Sequence, residues 1–384
     1  MPKTTIEQLA ESGQSVWLDN ISRGLLESGR LKEMISQGLR GVTSNPTIFD
    51  KAISQSSDYN DKIARLHREG KTAFEIYDEL TIADIQEAAD MFRPVYDKTG
   101  DLDGYISLEV NPRLASLSAE TVREAKRLHK KLNRENAMLK IPATAEGFIA
   151  IEELISQGIN INATLIFSLE QYTETAEAFI RGLKRLLLKA GDLSRVHSVA
   201  SVFVSRIDTA VDGILEDLSG KENNSGLRSQ LEALKGKAAT ANSALIYQSS
   251  REIFLRDEFR LLKKSGANIQ RPLWASTGTK NPSYSNIKYI EELMAKDTVN
   301  TAPENTLEAF LAKGKVKEAL SDDIEEAKNV LTRLKKFGID VDTICQKLLK
   351  DGIALFENSF DSLLKSVENK ISAIKDKESI ERAH

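Results

Sequence analysis

Tyr105-Ile-Ser-Leu-Glu-Val-Asn111 and Ala137-Met-Leu-Lys-Ile-Pro142 carry the reading of the fold. Side chains alternate across a strand, so in the first run Ile106, Leu108 and Val110 form an apolar face and Ser107, Glu109 and Asn111 share the other. In the second, Leu139 and Ile141 point one way and Met138, Lys140 and Pro142 the other. Six further strand-like runs lie around them: Val16 to Asp19, Gly41 to Pro46, Ile159 to Phe167, His197 to Ser205, Pro272 to Thr277 and Thr298 to Thr301. Helical patterns or loops separate all eight, an alternation that implies parallel pairing through crossovers. The expectation is an α/β protein built as a single closed (β/α)8 TIM barrel.

A barrel strand sends one parity inward and the other toward the surrounding helices. With the apolar parity outside, Glu109 and Lys140 face the interior, together with Asp19, Thr43, Asn45, Asn162, Thr164, Ser201 and Ser276 from the other strands. Each lies near the C-terminal end of its run, where active sites of this architecture are built. An interior holding Asp19, Glu109 and Lys140 is costly to fold without mutual pairing or a ligand.

Lys140 has a chemical reason to be there. Burial lowers a lysine's pKa and leaves neutral amine able to form a Schiff base with a ketone or aldehyde. Each residue also has a plainer reading. Lys140 could snorkel to solvent, Asp19 could cap the helical run from Ile21, and Glu109 could serve only as a structural ion-pair partner. Asn45-Pro46 is a common turn pair, and the hydroxyls of Ser201 and Thr164 could satisfy backbone groups. Arg206 follows the sixth strand and Ser276-Thr-Gly-Thr-Lys280 the seventh, where backbone amides plus a cation commonly hold a phosphate. A surface arginine and a tight turn would account for them equally.

Two connections exceed what a crossover needs, 47–104 and 207–270, and both read as helical insertions in a barrel domain spanning 1–306. A C-terminal helical extension, 307–384, has Leu355, Phe356, Phe360, Leu363, Leu364, Val367, Ile371 and Ile374 at three- and four-residue spacing, as in a helix packed by one face against the outside of the barrel. Its charge-rich end, Lys365 to His384, reads as a solvated, fraying helix. A formal charge of -4 on 384 residues gives no argument for nucleic-acid binding. The lone Cys345 excludes an intrachain disulfide framework, and no stretch approaches a membrane span. The expected setting is the cytoplasm. The four histidines show no metal-ligand spacing, and there is no dinucleotide fingerprint or P-loop, so no cofactor is expected.

The segments Trp17-Leu-Asp-Asn20, Gly41-Val-Thr-Ser-Asn-Pro-Thr-Ile-Phe49, Ile106-Ser-Leu-Glu-Val-Asn-Pro112, Met138-Leu-Lys-Ile-Pro142, Gly158-Ile-Asn-Ile-Asn-Ala-Thr-Leu-Ile-Phe167, Ala200-Ser-Val-Phe-Val-Ser-Arg-Ile-Asp208 and Leu273-Trp-Ala-Ser-Thr-Gly278 together resemble the transaldolases, specifically their longer bacterial subfamily. The resemblance implies transfer of a dihydroxyacetone unit from sedoheptulose 7-phosphate or fructose 6-phosphate to an aldose phosphate in the pentose phosphate pathway, without metal or organic cofactor. It implies that Lys140 forms the Schiff base, that Asp19 is the acid/base at the scissile bond, and that Glu109, with Thr164 holding a water, moves protons during imine formation and hydrolysis. Asn45 and Asn162 would bind substrate hydroxyls, with Thr43 beside them, Ser201 would meet the dihydroxyacetone end, and Arg206 and Ser276 would hold the phosphate. Smaller members of the family place an arginine soon after that serine; here Lys280 stands as the second cation. The implied partners are small sugar phosphates, with no nucleic acid and no membrane, and a monomer or homodimer is expected. A Schiff-base fructose 6-phosphate aldolase and a non-catalytic sugar-phosphate-binding barrel are the alternatives; related aldolases are much shorter and lack the inward glutamate, which favours transaldolase.

Overall fold

In the computed structural model, which describes residues 2–321 and 324–383 with side chains as far as Ile374, eight strands close into one parallel barrel in chain order. They are β1 Gln14–Leu18, β2 Gly41–Thr43, β3 Tyr105–Glu109, β4 Ala137–Pro142, β5 Ile161–Ile166, β6 Ser198–Phe203, β7 Gln270–Ala275 and β8 Thr298–Ala302. Pairing of β1 with β8 closes the ring. Every strand residue is buried, since helices cover the outer face and side chains fill the inside.

Two strands begin before the expected runs. The carboxamide of Gln14 donates to Leu293 O and Thr298 Oγ1, and the Arg271 guanidinium donates to Ser15 Oγ at 2.9 Å and pairs with Asp103 at 3.0 Å. Buried polar residues that find partners at the barrel's N-terminal end therefore start β1 and β7, Gln14 on the helix-facing side and Ser15 with Arg271 on the inner side, and their polarity hides those starts in the sequence. Trp17 fills the layer above them and lies against Gly41, where a Cβ would come within 2.7 Å of the indole ring. β7 also ends early. Ser276 has φ +55°, a left-handed conformation uncommon for a residue with a side chain, so it turns out of the ladder instead of extending it.

Helices Pro46–Gln55, Asn60–Arg68 and Ala73–Lys98 follow β2, and Ser205–Lys221, Ser225–Glu232, Ala238–Leu255 and Asp257–Lys264 follow β6. Thr144 caps Ala145–Ile155, and Ser168 forms a capping box with Gln171, as their positions suggest. The first helix after β1 is capped by Ser22, which leaves Asp19 free of that duty.

The final helix, Val341–Ala383, corrects the expectation of packing on the outside of the barrel. It crosses the C-terminal mouth. At its start the buried thiol of Cys345 donates to Phe167 O beyond β5, and Gly352 allows close approach, because a Cβ there would sit 3.1 Å from Leu165 Cδ2. Farther along, Ser359 bonds to Thr47 at 2.8 Å beyond β2, and Lys370 donates to Ser56 O and Asn60. Phe356, Phe360, Leu363 and Val367 are buried beneath it. The side chains from 375 onward, and His384 altogether, lie outside the described residues, and so does the expected fraying of that end.

Candidate active site

Parallel register places the charged residues side by side. Glu109 on β3 pairs with Lys140 on β4, and Lys140 with Asn162 on β5, all of inward parity. Lys140 and Glu109 are each only 4% exposed, so snorkelling does not describe this lysine. Its Nζ donates to Ser44 O at 2.9 Å and lies 3.4 Å from Glu109 Oε2. Among the described residues Glu109 accepts no hydrogen bond of normal length, and the buried Thr164 hydroxyl likewise has no partner. Buried polar atoms are ordinarily satisfied, so these oxygens mark a place built for a small polar species.

Burial pushes the Glu109 carboxyl up to about 7, against the opposing pull of the Lys140 ammonium. Asp19 is also raised by burial, while Lys140 and a hydrogen bond from Thr43 act the other way. Asp19 follows β1 directly, its backbone N–H donating to Ala302 O at 2.9 Å, so the β1–β8 ladder aims its side chain. Thr43 Oγ1 donates to Asp19 Oδ1 at 2.8 Å and shares a 2.7 Å bond with Thr301.

A second chain of bonds fixes the other wall. Ser201 Oγ donates to Asn162 Oδ1 at 2.6 Å, and Asn162 Nδ2 donates to Ser107 Oγ at 3.0 Å. Asn45 has a double position: its Oδ1 accepts from Ile48 N at 3.0 Å and caps Pro46–Gln55, leaving Nδ2 for another partner. The structure therefore gives Asn45 a helix-capping role beside Pro46 and places it at the cavity.

Above these residues opens a cavity of about 230 Å³, lined by Asp19, Thr43, Asn45, Lys140, Ser201, Arg206, Ser276 and Lys280. Glu109, Asn162 and Thr164 are not among its lining residues. Arg206 lies in the first turn of Ser205–Lys221, where helix amide groups favour an anion. Burial lowers its pKa, and Phe203 lies under its guanidinium at 5.6 Å. Ser276 Oγ is 3.0 Å from Ser205 Oγ. Among the described residues neither Arg206 nor Lys280 lies within ion-pair distance of a carboxylate; at longer range Asp351 favours the Arg206 charge and Lys280 favours ionised Asp19, so the mouth carries cations that are only loosely compensated.

Several contributors carry little or no signal in the sequence. The carbonyl of Ser44 carries no residue-type signal. Thr301 had one, being of inward parity near the end of β8. Lys51, Leu355 and Phe356 also line the cavity, brought there by the Pro46–Gln55 helix and the final helix.

A closed parallel barrel with a buried lysine beside a carboxylate, a second carboxylate in the same cavity and cations at the mouth is suited to an aldolase-type enzyme, a class that can work through an amine. The chain belongs to the transaldolase/fructose-6-phosphate aldolase family, whose model matches residues 16–367. It is 43% identical over 370 residues to a transaldolase of Trichodesmium erythraeum, covering 96% of this chain and 97% of that protein. It is similar as well to transaldolase 2 of Streptomyces coelicolor, 44% identical over 96% of this chain and 98% of the relative. A transaldolase 2 of Nostoc punctiforme is 42% identical over 96% and 97%.

Proposed function

We propose that this chain is a transaldolase acting on sugar phosphates of the pentose phosphate pathway in the cytoplasm, as a monomer or homodimer, with residues 1–306 as the catalytic barrel, 47–104 and 207–270 as its insertions and 307–384 as the extension. The observation that carries the reading is the Lys140 amine, buried 3.4 Å from Glu109 under a cavity shared with Asp19.

Lys140 attacks the ketose carbonyl at carbon two, and loss of water gives an iminium. Breaking the bond between carbons three and four leaves an electron pair that the iminium absorbs as an enamine. Asp19 takes the proton from the carbon-four hydroxyl as that bond breaks and returns it to the incoming aldehyde. Glu109, held near 7, is present in both protonation states at neutral pH and so can both give and accept protons, through a water held by Thr164, while the imine forms and hydrolyses. Asn162 and Ser201, bonded to each other, meet the hydroxyls of the three-carbon unit, with Thr43 and Asn45 opposite. Arg206, Ser276 and Lys280 hold the phosphate, and binding remote from the reacting carbons supplies orientation.

Two features favour this reading over a fructose 6-phosphate aldolase, the inward Glu109 and the length of the chain. A non-catalytic binding barrel would have no use for a desolvated lysine beside two carboxylates. The test is borohydride reduction with fructose 6-phosphate followed by peptide mass spectrometry. An adduct on Lys140 is the expected result; an unlabelled protein, or label elsewhere, overturns the proposal.

A further inference from the structure

The reaction proposed above leaves a vulnerable intermediate. Once the first aldehyde has departed, the three-carbon fragment on Lys140 is an enamine with an electron pair available at the carbon that was cleaved. Protonation there gives the iminium, and one water adding at carbon two releases dihydroxyacetone and restores the free amine. Transfer requires that the aldehyde acceptor arrive before this hydrolysis. Something must keep water away from the fragment while the mouth remains open to a sugar phosphate.

The barrel's own residues are poorly suited to that task. The lining contributed by strands and their following turns is dominated by Asp19, Thr43, Asn45, Ser201 and Ser276, all of which attract water. The apolar contribution comes chiefly from Phe203, Ile48 and two neighbours on the final helix, Leu355 and Phe356. Leu355 is 41% exposed, whereas Phe356 is 3% exposed although it lines the cavity. Its ring is therefore clamped from behind and presents only a small face to the site.

The clamp is built from both sides of the mouth. Gly352, one turn before Phe356, lets the helix settle onto Leu165, which has φ +59° at the point where the β5–β6 register shifts. One turn after it, Phe360 packs edge-on against Tyr77 with ring centroids 5.3 Å apart, and Ser359 bonds to Thr47. These anchors hold Phe356 over the cavity.

Resting on the transaldolase reading, we infer that Phe356 is a positioning residue that excludes water from the enamine and so sets the ratio of transfer to hydrolytic release of dihydroxyacetone. The experiment uses the full chain with 13C-labelled fructose 6-phosphate in deuterated buffer, with and without erythrose 4-phosphate, and follows both products by NMR. Dihydroxyacetone released by hydrolysis gains one deuterium at the protonated carbon. Phe356→Ala is expected to raise the release-to-transfer ratio about tenfold, equivalent to about 1.4 kcal/mol removed from the barrier to hydrolysis. The smaller truncation Phe356→Leu should raise the ratio by a lesser factor, about threefold, and serves as the informative variant if Phe356→Ala does not fold.

Phe360→Leu, which loosens the same helix without touching the cavity, separates the ring's own effect from helix mobility. A ratio that stays at the parent value in Phe356→Ala and Phe356→Leu, with borohydride trapping on Lys140 intact, overturns the inference. An equal rise in Phe360→Leu overturns it too. Failure of the parent to form any Lys140 adduct would instead strike the transaldolase reading, so the two failures are distinguishable.

Discussion

Replacing Glu109 by glutamine should make the protein more stable at neutral and alkaline pH while crippling it as a catalyst. Glutamine matches the shape of a protonated glutamate and removes the charge that burial penalises. A carboxyl held at about 7 instead of its usual 4.5 corresponds to about 3 kcal/mol, at about 1.4 kcal/mol for each pH unit. The sign follows from where the proton sits. Below the usual value both folded and unfolded chains hold it, so parent and variant should be equally stable. Between 4.5 and about 7 the unfolded chain releases the proton that the folded chain retains, and the parent loses stability as pH rises. Above about 7 the deficit levels off near its full size. Urea unfolding of both proteins from about pH 4 to about pH 9 reads the difference directly. A difference that does not change with pH, or a parent more stable than the variant on the alkaline side, would refute the account of Glu109. Turnover should fall by about 10²- to 10⁴-fold, the usual worth of a proton-transfer group.

Asp19→Ala should slow carbon–carbon cleavage by a similar factor of about 10²- to 10⁴-fold while leaving the Lys140 adduct trappable; quenched-flow kinetics with borohydride separate the two steps, and unchanged turnover would dismiss the acid/base role. Arg206→Gln should cost about 1.5–3 kcal/mol of charge-assisted hydrogen bonding, roughly ten- to a hundredfold in kcat/KM for sugar phosphates, with little effect on the unphosphorylated sugar. Thr43→Val removes a donor that favours the Asp19 carboxylate, so the acidic limb of the kcat profile should move to higher pH; a profile superimposable on the parent's would exclude that contribution. Asp103→Ala leaves the Arg271 guanidinium buried without its carboxylate, a loss of about 3–5 kcal/mol to be seen in the urea midpoint with the active-site adduct chemistry retained.

The strand alternation exposed the barrel and most of the inward set, because parity is a local property that a few residues reveal. Glu109 beside Lys140 is the clearest case: each was placed inside by its apolar neighbours, and parallel register did the rest. Asp19 was ambiguous between helix cap and site until Ser22 proved to be the cap. The Arg271–Asp103 pair at the barrel's lower end is not legible in the sequence, because its members belong to different strand-and-loop units and neither has a local pattern that betrays burial. Ser276 was expected inside a strand, yet its left-handed backbone takes it out of the ladder, and serine gives no hint of that. The amphipathic spacing of Phe356, Phe360, Leu363 and Val367 announced a helix but not what it would cover. Contacts such as Thr47 with Ser359 join residues 312 positions apart, a separation over which periodicity is silent.

That crossing helix has a consequence for biogenesis. All eight strands precede Val341 in the chain, so a nascent polypeptide can close its barrel while the segment destined for the mouth is still inside the ribosome. Until that segment emerges, the basin that holds Lys140 at its floor would stand open to solvent and to any small molecule in it.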